Sequence, residues 1–336
     1  MITARDISFH EPTSDPAAGP PWGETNYFGF YNPDIPLNGG IYALFRPELG
    51  VVLSTVNLNT GRVETPQDAD YWDSQVHLPI PAGTDLADYR LANGLSVRAI
   101  DRPLSYQVDY DDGEGTEVHF TLTGLMPPFD IHDPEMDPMA AAAQAESGAW
   151  AWGTAYNGHF DQTGHARGEV VLRGRRHPLD CVTTMDHSWG PRGERHAHTM
   201  SWLHAHFSPQ LAMHAIFDFD AATGAEELRL THGYVLEDGE VLGLKAGSGR
   251  TRRRGRYPED VSLRLVDSRD RTWELRGRAM TAFPWNAWPN VVGYNVLARW
   301  ECRGLTGHGE IQDFFGVQTL SDLAHPGGRS ALGAAR

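Results

Sequence analysis

The sequence predicts an all-β protein made of two antiparallel barrels or barrel-like sheets, on three observations. Apolar and polar residues alternate with period two along most of the chain, turn-forming runs separate these stretches at meander spacing, and sustained helical periodicity is nearly absent. In chain order, the alternating stretches are GGIYALFRPELGVVLSTVNL (39–58), LSVRAIDRPLSYQVDY (95–110), TEVHFTLTGL (116–125), GEVVLRGRRHPLD (168–180), VSLRLVDS (261–268), RTWELRGRAM (271–280) and NVLARWECRG (295–304). DDGEG (111–115) and EDGE (237–240) are turn signals between strands. About sixteen to eighteen candidate strands are too many for one sandwich and fit two barrels. The length, 336 residues, also suits two domains. The expected division is 1–180 and 181–336. One stretch breaks the pattern: MPPFDIHDPEMDPMAAAAQAESGAW (126–150) is rich in Pro and Asp, then in Ala, and reads as a lid over a barrel mouth or a plain loop, ending in a short helix.

Composition excludes several classes. Hydrophobic residues make up 40% and charged residues 21%, a globular balance. No apolar run approaches the roughly 18 residues of a membrane-spanning helix, and MITARDISFHEP lacks the basic-then-apolar layout of a signal peptide. Cytoplasmic location without membrane insertion is therefore expected. A net charge of −16 repels nucleic acid; the basic run GRTRRRGRY (249–257) reads as a solvated hairpin loop. Cys181 and Cys302 are too few for a disulfide framework and are not spaced as a zinc or redox motif. Lys245 is the only lysine and lies in the loop-like GLKAGSG, which argues against Schiff-base chemistry.

Two adjacent stretches carry most of the chemistry. TTMDHSWGPRGER (183–195) holds a carboxylate, an imidazole, a hydroxyl, an indole and a guanidinium. Asp186, His187 and Ser188 cannot form a triad, because neighbours on an extended chain point to opposite faces, and the nucleophile-elbow glycines are missing. Two readings stay open: Asp186 as a buried acid with Trp189 as an aromatic wall, or a Trp-Gly-Pro-Arg turn plugging a barrel end, its indole under Arg192. RHAHTMSWLHAHF (195–207) then places His196, His198, Met200, Trp202, His204 and His206 on one strand face. At about 3.3 Å per residue the histidines span roughly 33 Å, too far for one centre. His204, His206 and His214 would be the set for a metal, but no carboxylate follows at the spacing of a cupin site and no metal is expected. His196 and His198 read as structural, and the small or apolar residues between them as the face packed against another layer.

Aromatic and amide residues cluster in PWGETNYFGFYNPDIPLNGG (21–40), with Tyr27 and Tyr31, and in FPWNAWPNVVGYN (283–295), with Trp285 and Trp288. Such segments suit an apolar pocket holding a few placed polar groups. In GHGEIQDFFG (307–316), Glu310 is either a second acid or a turn charge, and Asp313 reads as a turn charge.

ETNYFGFYNPD with GGIYALFRPELG, the central MDHSWGPR and the late RWECRGLTGHGEIQDFFG resemble the hydroxyneurosporene synthase and carotenoid 1,2-hydratase superfamily, also called AttH-like. The motifs cover the start, middle and end of the chain, and the central one is the most specific. The resemblance implies two calycin-like or lipocalin-like barrels side by side, with DHSWGPR opening the second half. It also implies relatives that hydrate isoprenoid double bonds or catalyse pericyclic cyclisation, so the scaffold is better fixed than the reaction.

Residues and resemblance meet on a hydratase or dehydratase, or an isomerase, acting on a hydrophobic isoprenoid-type alkene or tertiary alcohol without a cofactor. Asp186 would be the acid and His204 and His206 would handle the proton of water. Trp189, Trp202 and Trp285 would shield a carbocation, with Tyr27, Tyr31, Arg192, His214 and Trp288 lining the substrate. The alternatives are a cyclase working by shape and a non-catalytic carrier of a lipophilic ligand. The expected partner is a hydrophobic small molecule, and a homodimer is compatible.

Overall fold

The computed structural model describes residues 1–12, 20–147, 157–193, 199–221 and 227–325. Among these, twenty strands form two antiparallel sheets. The first contains β1 (Trp22–Asn32), β2 (Leu37–Arg46), β3 (Val51–Asn59), β4 (Tyr71–Pro79), β5 (Asp88–Arg90), β6 (Ser96–Asp101), β7 (Ser105–Asp111), β8 (Glu117–Gly124), β9 (Phe129–Asp130), β10 (Gly158–Leu172) and β11 (Arg175–Pro191). Its order is β4-β3-β2-β1-β11-β10-β8-β7-β6-β5, with β9 on β10. It curls into a half-barrel around a core that includes Phe28, Phe30, Phe45, Tyr106 and Phe120. The sequence pattern explains the curl. In β7 and β8 every second residue is buried, as one-sided packing requires.

The second sheet comprises β12 (Met200–Ser208), β13 (Leu211–Asp218), β14 (Glu227–Glu237), β15 (Glu240–Arg254), β16 (Tyr257–Asp267), β17 (Thr272–Ala279), β18 (Phe283–Trp288), β19 (Val291–Cys302) and β20 (Leu305–Gly316). β12 to β17 run as a meander; β17 then pairs with β19 and β20 with β12, closing an eight-stranded barrel, while β18 hangs from the first half of β19. Leu203, Ala205, Met213, Phe217, Trp273 and Trp300 fill its interior. The interior is thus packed with side chains, as expected for a barrel of this strand number. Two short helices, α1 (Pro138–Ser147) and α2 (Val317–Ala324), complete the described structure, and neither is long and apolar enough to cross a membrane.

Three local expectations need correction. β11 runs unbroken through residue 180 and carries MDHSWGP, so this motif ends the first sheet and the chain crosses to the barrel only after Pro191. A continuous ladder with β1 and β10 holds it there. The run GRTRRRGRY is no loop: Arg250–Arg254 continue β15, and Gly255, in the left-handed region at a φ of 64°, makes the tight turn that begins the return into β16. Lys245 also lies on β15, exposed and paired with Asp270.

The described part of 126–150 is a packed connection. Phe129 and Ile131 are buried with Tyr234 and Leu236 of the barrel, and Asp137, fully buried, binds His232 while accepting the Met139 N–H at the start of α1. Residues 148–150 lie outside the described residues, as do His196 and His198.

Candidate active site between the two sheets

The site is built by two sheet faces turned toward each other. Alternation sends the even residues of β12 away from the barrel interior, so Trp202, His204 and His206 face the first sheet; on β13, Ala212, His214 and Ile216 do the same. The first sheet answers with a row set by strand register. Tyr42, Tyr27, Asp186 and Asp161 stand directly opposite one another across β2, β1, β11 and β10. Cross-strand neighbours place their Cβ atoms about 4.5–5.5 Å apart, so Asp186 and Asp161 form a carboxylate pair.

The two carboxyl groups have different surroundings. Asp161 is fully buried; His159 Nε2 hydrogen-bonds its Oδ2 at 3.0 Å, Trp202 Nε1 donates to its Oδ1 at 2.9 Å, and His214 Nε2 stands 3.1 Å from Oδ2. Burial opposes its charge, but His214 and His159 outweigh burial and hold it far below the usual carboxylate range. Asp186 is partly exposed, its Oδ1 is enclosed without a hydrogen-bond partner, and burial together with the charge of Asp161 pushes it up to about 7 against the pull of His159 and Arg192. One carboxyl is therefore ionised while its neighbour gives up its proton only around pH 7, the division of roles on which acid catalysis depends.

A second pole lies beyond Trp202. Glu310, on β20 and fully buried, accepts from Tyr27 Oη at 2.7 Å, Asn295 Nδ2 at 3.0 Å and Gln312 Nε2 at 3.3 Å; burial pushes it up to about 7 despite these donors. The Glu310 N–H donates to His204 Nδ1 at 3.3 Å, so the neutral ring carries its proton on Nε2, 3.5 Å from Glu310 Oε2. His206 Nε2 is 2.9 Å from Thr184 Oγ1. Burial, reinforced by neighbouring imidazoles, holds His204 and His206 well below 6.5. Both are neutral bases at physiological pH.

Aromatic rings join the poles. Trp202 meets Tyr27 edge-on at 5.6 Å and His204 at 4.9 Å, while Trp285 lies 6.0 Å from Tyr27 and 5.3 Å from Tyr42. Trp288 donates to Tyr42 Oη at 2.8 Å, and the Arg192 guanidinium lies 5.2 Å from its ring centre. Tyr31 sits farther along, stacked on His206 at 6.4 Å. Gly29 lets Glu310 approach the first sheet, since a Cβ there would lie 2.6 Å from Oε2. Gly29→Ala is accordingly expected to push Glu310 Oε2 away from its Tyr27 and Gln312 donors and raise its apparent pKa, detectable as an alkaline shift of any titration assigned to that carboxyl.

The structure thus gathers Asp186, His204, His206, His214, Tyr27, Trp202 and Trp285 at one interface, with Arg192 and Trp288 at its edge. Trp189 does not join them. It occupies the opposite face of β11 with His187, 5.0 Å from that ring and 4.0 Å from His10, because the alternation that puts Asp186 and Ser188 on one face puts Trp189 on the other. Ser188 engages Thr25 and Arg192, each at 2.8 Å. His204, His206 and His214 do not converge as a three-ligand set; His206 is engaged by Thr184 instead. Sequence reasoning missed Asp161 and His159. Their signal was the H-x-D of GHFDQ (158–162), which obeys the same two-residue rule as the H-x-H runs but lies in a segment without a motif.

Residues 4–313 match one family model, described as a domain of unknown function (DUF7064). The chain belongs to the DUF7064 family. Among curated proteins no match is found for it. Among solved structures, this DUF7064 protein is similar to a protein assigned provisionally as AttH from Nitrosomonas europaea, at 15% identity over 94% of this chain and 97% of that one, with a TM-score of 0.60. It is also similar to CghA, at 12% identity over 89% of each chain and a TM-score of 0.57. Kievitone hydratase from Nectria haematococca aligns at 12% identity over 94% of this chain and 93% of that one, with a TM-score of 0.49. The DUF7064 chain therefore has the AttH-like fold that its motifs announce.

Proposed function

We propose that this protein is a hydratase or dehydratase for a hydrophobic alkene or tertiary alcohol of isoprenoid type, working by protonation and without a cofactor. The observation that carries this reading is the opposed pair Asp161 and Asp186, one ionised and one giving up its proton only around pH 7, beside an aromatic wall. In hydration, the Asp186 carboxyl gives its proton to one alkene carbon and becomes a carboxylate. The tertiary cation left on the other carbon is held against Trp202, Trp285, Tyr27 and Tyr42. Water adds its oxygen to the cation and passes a proton to the neutral imidazole of His206, and the proton returns through solvent to Asp186. Dehydration is the same sequence reversed. Asp161 stays charged throughout, so it disfavours ionised Asp186 and helps drive proton delivery.

Trp202→Phe keeps a ring in the wall but removes the donor to Asp161. It is expected to lower turnover by about tenfold while leaving substrate binding nearly unchanged, as a split between kcat and KM would reveal.

The test of the function itself is mass spectrometry of ligands that co-purify, followed by reaction of terpenoid alkenes and alcohols in deuterated water. Gain or loss of one water, with deuterium on the protonated carbon, is the expected result. A product of unchanged mass without deuterium would favour cyclisation by shape. Tight binding without turnover would favour a carrier.

A further inference from the structure

On the opposite face of β11, outside the site just described, His10, Glu24 and His187 offer ligand atoms that all lie within 4.8 Å of one another. Glu24 is a fully buried carboxylate on β1. Its Oε1 accepts from the His10 N–H at 2.7 Å and from Trp22 Nε1 at 3.0 Å, and its Oε2 is 3.0 Å from His10 Nδ1. His187, 1% exposed, has Nδ1 at 2.5 Å from the Thr25 carbonyl, so Nδ1 carries the hydrogen and Nε2 carries the lone pair. That Nε2 is enclosed and has no hydrogen-bond partner, and neither has His10 Nε2, which stands 3.6 Å from Asp6 Oδ1.

This is the arrangement of a metal ligand held by its outer partners: Nδ1–H on a backbone carbonyl or a carboxylate, Nε2 free. With Zn–N bonds of about 2.0–2.1 Å and roughly 1.2 Å from ring nitrogen to ring centre, two imidazoles on one tetrahedral ion have centres roughly 5.3 Å apart. The His10 and His187 ring centres are 6.1 Å apart, so these rings would close in by under ~1 Å on binding. The carboxylates of Glu24 and Asp6 supply compensating charge, and Trp189, stacked on both imidazoles, closes one side.

We propose that His10 and His187, with Glu24 and Asp6 in support, form a binding site for one zinc-type divalent cation. Its ligand set of imidazole and carboxylate suits zinc, cobalt or nickel better than calcium or magnesium. The ion would tie residues 1–12 to β1 and β11 directly behind Asp186, so its role is to fix the N-terminal segment and the strand that presents the acid. No step of the proposed reaction passes through it.

The experiment is direct titration of the chelator-treated full-length protein with cobalt(II), followed by visible d–d absorption, and with zinc, followed by calorimetry and elemental analysis. One equivalent is expected, with tetrahedral-type cobalt bands. His10→Ala is expected to weaken binding by about 100-fold or more and Glu24→Gln by about 10–100-fold. His159→Ala, which alters the other group able to gather ligand atoms, is expected to leave it unchanged. Circular dichroism verifies the fold of each variant, and Asp6→Asn, on the exposed N-terminal turn, serves as a second probe should His10→Ala fail to fold. Binding below one-tenth of an equivalent in the wild type overturns the proposal. So does full binding in His10→Ala, or loss of binding in His159→Ala instead.

Discussion

Asp186→Asn is expected to lower turnover by about 10²- to 10⁴-fold, the usual contribution of a positioned general acid, while leaving the affinity for a hydrophobic ligand close to that of the wild type. The reason is local. Asn keeps the size of Asp186 and its place in the row with Tyr27 and Asp161, but has no proton to give. Single-turnover measurement on an alkene substrate, with ligand binding followed separately by quenching of the buried tryptophans, checks both halves. The wild-type rate should fall as pH rises through about 7, where Asp186 ionises. A cyclase working by shape would keep its rate in the variant and across that pH range.

The second large effect concerns stability. Asp186 and Glu310 each rise on folding from ordinary carboxyl values of 3.8 and 4.5 to about 7. A group raised on folding binds more protons in the native state, so its contribution is complete below the unfolded value and is lost as pH climbs through the folded one. For both groups the window runs from about 4 to 7. Three pH units correspond to about 4 kcal/mol, which the partial exposure of Asp186 reduces to a few kcal/mol. The wild type is expected to lose stability between about pH 4 and 7. Asp186→Asn, with nothing to ionise, should melt several degrees higher than the wild type at pH 8 and about equally at pH 4.5. Melting curves of both proteins across that range give the comparison. Asp161 works in the opposite sense: its pKa is lowered on folding, so its contribution is present above 3.8 and disappears only in acid.

Much of this was legible before any coordinates. Period-two alternation located β2, β3, β7, β8, β16 and β17, because a sheet with one packed face needs apolar residues at every second position. The same rule placed Trp202, His204 and His206 on one face and ruled out a triad through Ser188. It would also have moved Trp189 away from Asp186, had it been applied through the whole of DHSWGP. Pairing across strands was not legible. Nothing local says that Asp161 stands opposite Asp186, since register follows from ladders between residues far apart in sequence. The place of Glu310 was equally hidden: a fully buried carboxylate and a turn charge look alike until Tyr27, Asn295 and Gln312 are seen to donate to it. The boundary at 180 fell within β11 because a strand that ends one sheet and a strand that begins another carry the same pattern.

The central claim is that Asp186 gives up its proton only around pH 7 because it is enclosed beside the charge of Asp161. Carbon-13 NMR of aspartate-labelled protein, with Asp186→Asn used to assign the resonance, tests it without a substrate. A carboxyl titrating near pH 7 in the wild type, and shifting downward in Asp161→Asn, is the predicted result. A resonance titrating near 4, or one that does not move when Asp161 is neutralised, would contradict it.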